Sequence, residues 1–222
     1  GTALAAANIV DNEAPAPPVG YSREISASGP DFELLNQLIF VNPTTAYATL
    51  GTPGASDGRV MRYDYNLATG TFLNAVEVFD VDGIGDDIPV PIGIGYHDGD
   101  LWISRFSGWP APRDARLTRL QDTDDDGIFD QHTDFITGMT LALPGETSHT
   151  INQIEIQNNS LYVGIGTRTN DGSPIDELEY HGTIVFIPDL NNPIVTDLSD
   201  ATYRQGDFLN TAATDGRPHL FS

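Results

Sequence analysis

Residues 122–130 read Asp122-Thr123-Asp124-Asp125-Asp126-Gly127-Ile128-Phe129-Asp130, and no other stretch of the chain has residue types and spacing that point so directly to chemistry. Asp122, Asp124, Asp126 and Asp130 stand at relative positions 1, 3, 5 and 9, with Gly127 at position 6. Alternate carboxylates around a glycine turn are how a calcium loop of the EF-hand kind gathers hard oxygen ligands, with a backbone carbonyl added at position 7, here that of Ile128. Thr133 stands where such a loop has its closing glutamate, and Asp134 follows it. No helical pattern flanks the run, so the expectation is a calcium loop carried on a β-hairpin. Without a cation the four carboxylates at ligand positions would repel one another, and the alternative is a solvated acidic turn. A looser acidic run at residues 80–87, DVDGIGDD, has less regular spacing and reads as an acidic loop before it reads as a second metal site.

His149 is the second candidate. It stands among polar residues just before an apolar strand, in Glu146-Thr147-Ser148-His149-Thr150-Ile151-Asn152. Its near-neutral pKa suits a general base, while the plainer role is a hydrogen bond to a neighbouring loop. His97 falls in a turn, and His132, His181 and His219 lack ligand-like pairing, so no zinc site is expected. There is no nucleophile elbow, phosphate loop or dinucleotide fingerprint.

The elements that must position these residues are strands. With 22 Gly and 15 Pro, apolar runs are short and closely punctuated by turn residues. Stretches such as Leu161-Tyr162-Val163-Gly164-Ile165 carry the two-residue period of a β-strand. Helical periodicity is nearly absent, one short candidate being IDELEY at residues 175–180. Three segments beginning at Leu34, Val90 and His149 repeat one plan. Each has an apolar strand, a polar turn, a second strand built on an aromatic (Tyr47, Trp102 or Tyr162), a Gly-rich loop and a third strand; the first two add a fourth. The aromatics lie 55 and 60 residues apart. They are expected in the core between units, whereas Trp109 lies outside the repeat and reads as a loop anchor or the wall of a cleft.

Four-stranded antiparallel units at this period predict an all-β chain of the β-propeller type, one sheet per blade, with long loops. A sandwich or jelly roll also has short strands, but neither predicts the same aromatic at the same place three times. The expected organisation is a Pro-rich extended leader at residues 1–30, then a partial propeller at 31–222 with blades at about 31–86, 87–147 and 148–222. Propellers close with about 4–8 blades. Three would leave open edges, so further blades of the same chain or another protein chain are expected to complete the ring.

Composition bounds the partners. The 222 residues carry 32 Asp and Glu against 10 basic residues, all Arg, for a net charge of −22. Such a chain repels phosphate backbones and anionic lipid, which argues against nucleic acid and membrane surfaces. No apolar run approaches the ~18 residues of a membrane span. Hydrophobic residues at 39% suffice for a packed core. The absence of Cys removes disulfides, thiolate metal sites and a cysteine nucleophile. An acidic, lysine-free surface suits salt, where self-repulsion is screened, and the expected setting is extracellular or periplasmic.

Residues 148–172, SHTINQIEIQNNSLYVGIGTRTNDG, resemble a blade of the soluble quinoprotein glucose and sorbosone dehydrogenases. PIGIGYHDGDLWISRFSG and RLTRLQDTDDDGIFD resemble the preceding blade. The resemblance runs from about residue 30 to 222 and rests on propeller-typical motifs. It implies a six-bladed propeller that binds pyrroloquinoline quinone (PQQ) through calcium on the channel axis. A histidine there removes the proton of a sugar or alcohol hydroxyl as hydride passes to the quinone. His149 matches that base, and Thr167 stands where the family has the aspartate that orients it. The family's Arg-Asn motif would follow Phe221-Ser222, and the loop at 122–130 does not correspond to the family's cofactor calcium. The reading is therefore a secreted, calcium-stabilised propeller of the sugar or alcohol dehydrogenase type. The rivals are a non-catalytic extracellular propeller that binds partners or assembles, and a propeller hydrolase or lyase.

Overall fold

The computed structural model describes residues 35–52, 57–107, 113–142, 151–166, 182–199 and 219–221. Among them the regular structure is strand, apart from one 3-10 turn at Asp82–Ile84. The leader, the IDELEY segment, Trp109, His149 and Thr167 lie outside the described residues.

Strands β1 (Leu35–Asn42), β2 (Thr45–Leu50), β3 (Arg59–Asn66) and β4 (Thr71–Asp80) form an antiparallel meander in chain order. β5 (Val90–His97), β6 (Asp100–Phe106), β7 (Arg113–Gln121) and β8 (Gln131–Ala142) form a second. β9 (Ile151–Gln157), β10 (Ser160–Ile165) and β11 (Ile184–Ile187) begin a third, whose fourth strand is β13 (His219–Phe221). Before β13 is reached, β12 (Thr196–Asp197) pairs parallel to β8 at Ile136 and Thr137, so the chain straps the second sheet on its way back to the third. β4 and β8 are the fourth strands that the repeat predicts for the first two units.

Local chemistry explains the hairpins. β5 and β6 are joined through Asp98 and Gly99 (φ 50° and 95°), and β9 and β10 through Asn158 and Asn159 (φ 49° and 66°). Two consecutive positive φ values are what a type I′ turn requires, and Asn, Asp and Gly tolerate them best. At the β1–β2 turn, Asn42 Oδ1 instead accepts the Thr44 N–H at 2.9 Å.

The first strand of each sheet carries an irregularity at the same place. Pairing slips between Leu35 and Gln37 in β1, between Pro91 and Gly93 in β5, and opposite Val163 and Ile165 in β9. The bulges fall at Asn36, Ile92 and Asn152, and a bulge turns a backbone carbonyl out of the ladder. Two of these carbonyls are taken by the preceding sheet: Thr49 Oγ1 donates to Ile92 O at 2.8 Å, and Ser104 Oγ donates to Asn152 O at 2.8 Å. Thr49 and Ser104 each lie two residues beyond the repeat aromatic of their strand. The sheets are thus stacked by one recurring joint.

The second sheet is sandwiched. Along β6, Leu101 to Phe106 are buried without alternation, because Leu101 and Ile103 face the first sheet while Trp102 and Phe106 face the third. Gly93 and Gly95 permit the close approach to β9; a Cβ on Gly93 would lie 2.5 Å from Asn152 O, and one on Gly95 2.8 Å from Ile154 Cγ2.

Candidate metal centre

The β7–β8 connection carries the aspartate loop. The carboxylates of Asp122, Asp124 and Asp126 each bring an oxygen within 4.8 Å of the other two. The loop organises them through its own backbone. Asp122 accepts the N–H of Asp126 (3.2 Å) and of Gly127 (2.7 Å), and Asp126 accepts the Ile128 N–H (2.8 Å). Asp125 and Gly127 take positive φ values of 60° and 86°, which fold the aspartates onto one side. Asp130 is used differently. It accepts the Thr123 N–H at 2.9 Å and the Thr123 hydroxyl at 2.6 Å, closing the base of the loop and standing outside the three-carboxylate set.

The electrostatics follow from this division. The charge of Asp126 pushes the Asp124 carboxyl above its ordinary range, with smaller contributions from Asp130 and Asp122. Asp130 is held below its ordinary range by the two Thr123 hydrogen bonds. Oxygen-only donors gathered this closely suit a hard divalent cation such as calcium, and a bound cation would reverse the repulsion felt at Asp124. Ile128, predicted to add its carbonyl, is exposed, and its backbone N–H orders Asp126.

The loop is pinned to the first sheet. The Phe129 N–H donates to Val78 O at 2.9 Å, and its ring packs edge-on against Tyr47 with centroids 5.9 Å apart. Phe129 is buried with Val60, Val78, Leu101 and Leu120 in the core between the first two sheets. Arg62 of β3 lies beneath Gly127, its Nη1 2.6 Å from where a Cβ would be. An open groove of about 500 Å³ follows, between β4 and the start of β8, lined by Glu77, Phe79, Asp80, Ile84, Asp130 and His132.

The run at residues 80–87 does not converge. Asp80 accepts the Gly83 N–H at 2.9 Å, and Asp86 turns away to the arginines of the second sheet. There Arg105, wholly buried, binds Asp86 at 2.7 Å, Asp134 at 2.7 and 3.0 Å, Thr118 Oγ1 at 2.7 Å and Ile88 O at 3.0 Å. Arg116 bridges the same two aspartates at 3.1 and 2.5 Å. Burial would raise the Asp134 carboxyl, but the Arg105 charge and the hydrogen bonds from Thr118, Arg105 and Arg116 outweigh it and hold the group below its ordinary range. Sequence reasoning missed this network. Its signal was a lone arginine in the apolar strand Leu101-Trp102-Ile103-Ser104-Arg105-Phe106.

Of the repeat aromatics, Trp102 is buried against Phe135 (5.0 Å between centroids) and lies 6.0 Å from the Arg119 guanidinium. Tyr47 is half-buried, its hydroxyl pushed up in pKa by burial. Tyr162 is 36% exposed and stacks on Phe186 at 4.8 Å. The base predicted at His149 lies outside the described residues. Arg105, Arg116 and Arg119 are engaged by Asp86, Asp134 and Asp100.

No family model matches the sequence, and no curated protein matches it. Among solved structures, a luciferin-regenerating enzyme is similar at 19% identity and a TM-score of 0.41, over 64% of this chain and 41% of that one. The matched region therefore spans less than half the length of that enzyme.

Proposed function

We propose that the chain is part of a secreted β-propeller stabilised by calcium, its three meander sheets serving as successive blades and its β7–β8 loop as the metal site. The observation that carries the proposal is the approach of Asp122, Asp124 and Asp126 to within 4.8 Å of one another on a loop anchored into the neighbouring sheet by Phe129. A cation there ties the loop together and, through Phe129, firms the joint between the first two blades. The acidic, lysine-free composition supports an extracellular or periplasmic setting, where salt screens the surface. In this first reading the scaffold acts as a binding or assembly module.

Calorimetric titration with calcium tests the metal site, beside melting in calcium and in chelator. One site per chain is expected, with a chelator-sensitive melting temperature. A hundredfold excess of free calcium over Kd contributes ~2.7 kcal/mol by mass action. No heat of binding and identical melts would remove the metal from the proposal.

A second reading is the dehydrogenase implied by the resemblance, with PQQ supplying the hydride acceptor and His149 taking the hydroxyl proton. It is supported by the position of His149 just before the first strand of the third unit, with a turn and the strand built on Tyr162 following. Dye reduction by the full-length polypeptide with PQQ, calcium and a panel of aldoses and alcohols tests it. Turnover that disappears in His149→Ala is expected under this reading, and absence of turnover leaves the binding module.

A further inference from the structure

The joint that stacks the sheets occurs twice among the described residues, and the third sheet presents the same surface without a described sheet against it. In the first sheet Tyr47 and Thr49 face the second; in the second, Trp102 and Ser104 face the third. Counting from the repeat aromatic, the corresponding residues of the third sheet are Tyr162 and Gly164. Register places Phe186 opposite Tyr162 and Ile184 opposite Gly164, all on the face turned away from the second sheet. The opposite face, with Leu161, Val163, Ile165 and Val185, is buried against the second sheet.

Burial records the difference. β6 is covered on both sides, whereas β10 alternates between buried positions and half-buried or exposed ones. Trp102 is 1% exposed, its counterpart Tyr162 36%, and Ile184 46%. A Cβ on Gly164 would meet nothing within 4 Å, although Gly93 and Gly95 on the corresponding face of the second sheet are closed off by β9.

We propose that this face, centred on Tyr162, Gly164 and Ile184, is the docking surface for a further four-stranded sheet of the same design, carried by the same polypeptide outside residues 1–222. The proposal rests on the propeller reading. The occupant is defined by the joint: a first strand with a bulge at the position of Ile92 and Asn152, laid across Gly164, its neighbours covering Tyr162 and Ile184. In both described joints the docked sheet is the next one in the same chain. A second copy is disfavoured because each copy brings a net charge of −22. Gly164 lacks the hydroxyl that Thr49 and Ser104 supply, so this joint holds by apolar contact and has room for one more hydrogen bond.

Two measurements on the natural full-length polypeptide test this. A photo-crosslinking phenylalanine at position 162, mapped by mass spectrometry, is expected to attach within the same chain to a strand outside residues 1–222. Attachment to residues 1–222, in the same or a second copy, or no attachment at all, would overturn the proposal. Gly164→Ser is expected to raise the melting temperature by restoring the missing donor, and Gly164→Arg to lower it by about 4 °C or more. Shifts below about 1 °C for both, the behaviour of an open surface, would also overturn it. Ser104→Ala separates the two levels. If it destabilises while both Gly164 variants are silent, the stacked-sheet reading stands and only the docking surface falls; if it is silent too, the recurring joint itself fails.

Discussion

Arg105 places a guanidinium with no exposure between two aspartates, which makes it the most consequential single charge among the described residues. Removing it would leave Asp134 and Asp86 partly buried without their main partner. Arg105→Met is expected to cost about 3 kcal/mol in urea unfolding, because breaking a buried pair strands the remaining charge. The partly exposed Arg119–Asp100 pair is expected to cost less than about 1 kcal/mol when Arg119 is replaced by Ala. The network also sets an acid limb. The folded-state pKa of Asp134 lies below its unfolded value, so its stabilisation is complete above the ordinary aspartate range of about 4 and is lost as pH falls through the lower folded value. Unfolding midpoints between pH 7 and pH 2 should fall less steeply for Asp134→Asn, from a lower start. Asp124 has the opposite sign, since repulsion from Asp126 raises its pKa and its charge opposes folding when no cation is present. Asp124→Asn is therefore expected to melt slightly higher than the parent in chelator and lower than the parent in millimolar calcium. A variant that melts higher in both conditions would show that the loop does without the metal.

At the scale of the element, the sheets are coupled through few, well-defined contacts. Phe129 carries the aspartate loop into the core shared by the first two sheets, so Phe129→Ala is expected to cost about 3–4 kcal/mol and to weaken calcium binding through a loosened loop. Guanidinium unfolding combined with calcium titration would reveal both losses, and unchanged affinity would mean that the loop orders itself without its anchor. Gly93→Val forces a side chain against Asn152 O and Ile154 N, and overpacking of that kind costs roughly 1–3 kcal/mol. Much of this level was legible beforehand. The alternation in β9 and β10, the Asp-Gly and Asn-Asn turns and the recurrent aromatics announce strands, hairpins and a repeated unit. The bulges were not legible, because a bulge is a mismatch between two strands and neither strand records it alone. β12 was not legible either, since two residues carry no period and their pairing with β8 depends on where a long connection happens to pass.

For the whole molecule, charge is the dominant fact. A net charge of −22 on 222 residues repels itself in the compact state, and the melting temperature is expected to rise as sodium chloride goes from 10 mM to 1 M. Insensitivity to salt would mean that the carboxylates are already neutralised locally by arginines or bound cations. Among the described residues no helix is long and apolar enough to cross a membrane. Residue type and spacing by themselves determined the all-β class, the three units and the acidic loop, because composition and two-residue periodicity are local properties of the chain. Tertiary structure alone decided which carboxylates meet. Asp122, Asp124 and Asp126 converge, Asp130 turns to Thr123, and Asp86 leaves its acidic run for Arg105, a partner 19 residues away. Spacing fixes which side chains can reach one another within a loop, but a buried arginine two strands on, in β6, competes for any carboxylate within range, and only packing sets that competition.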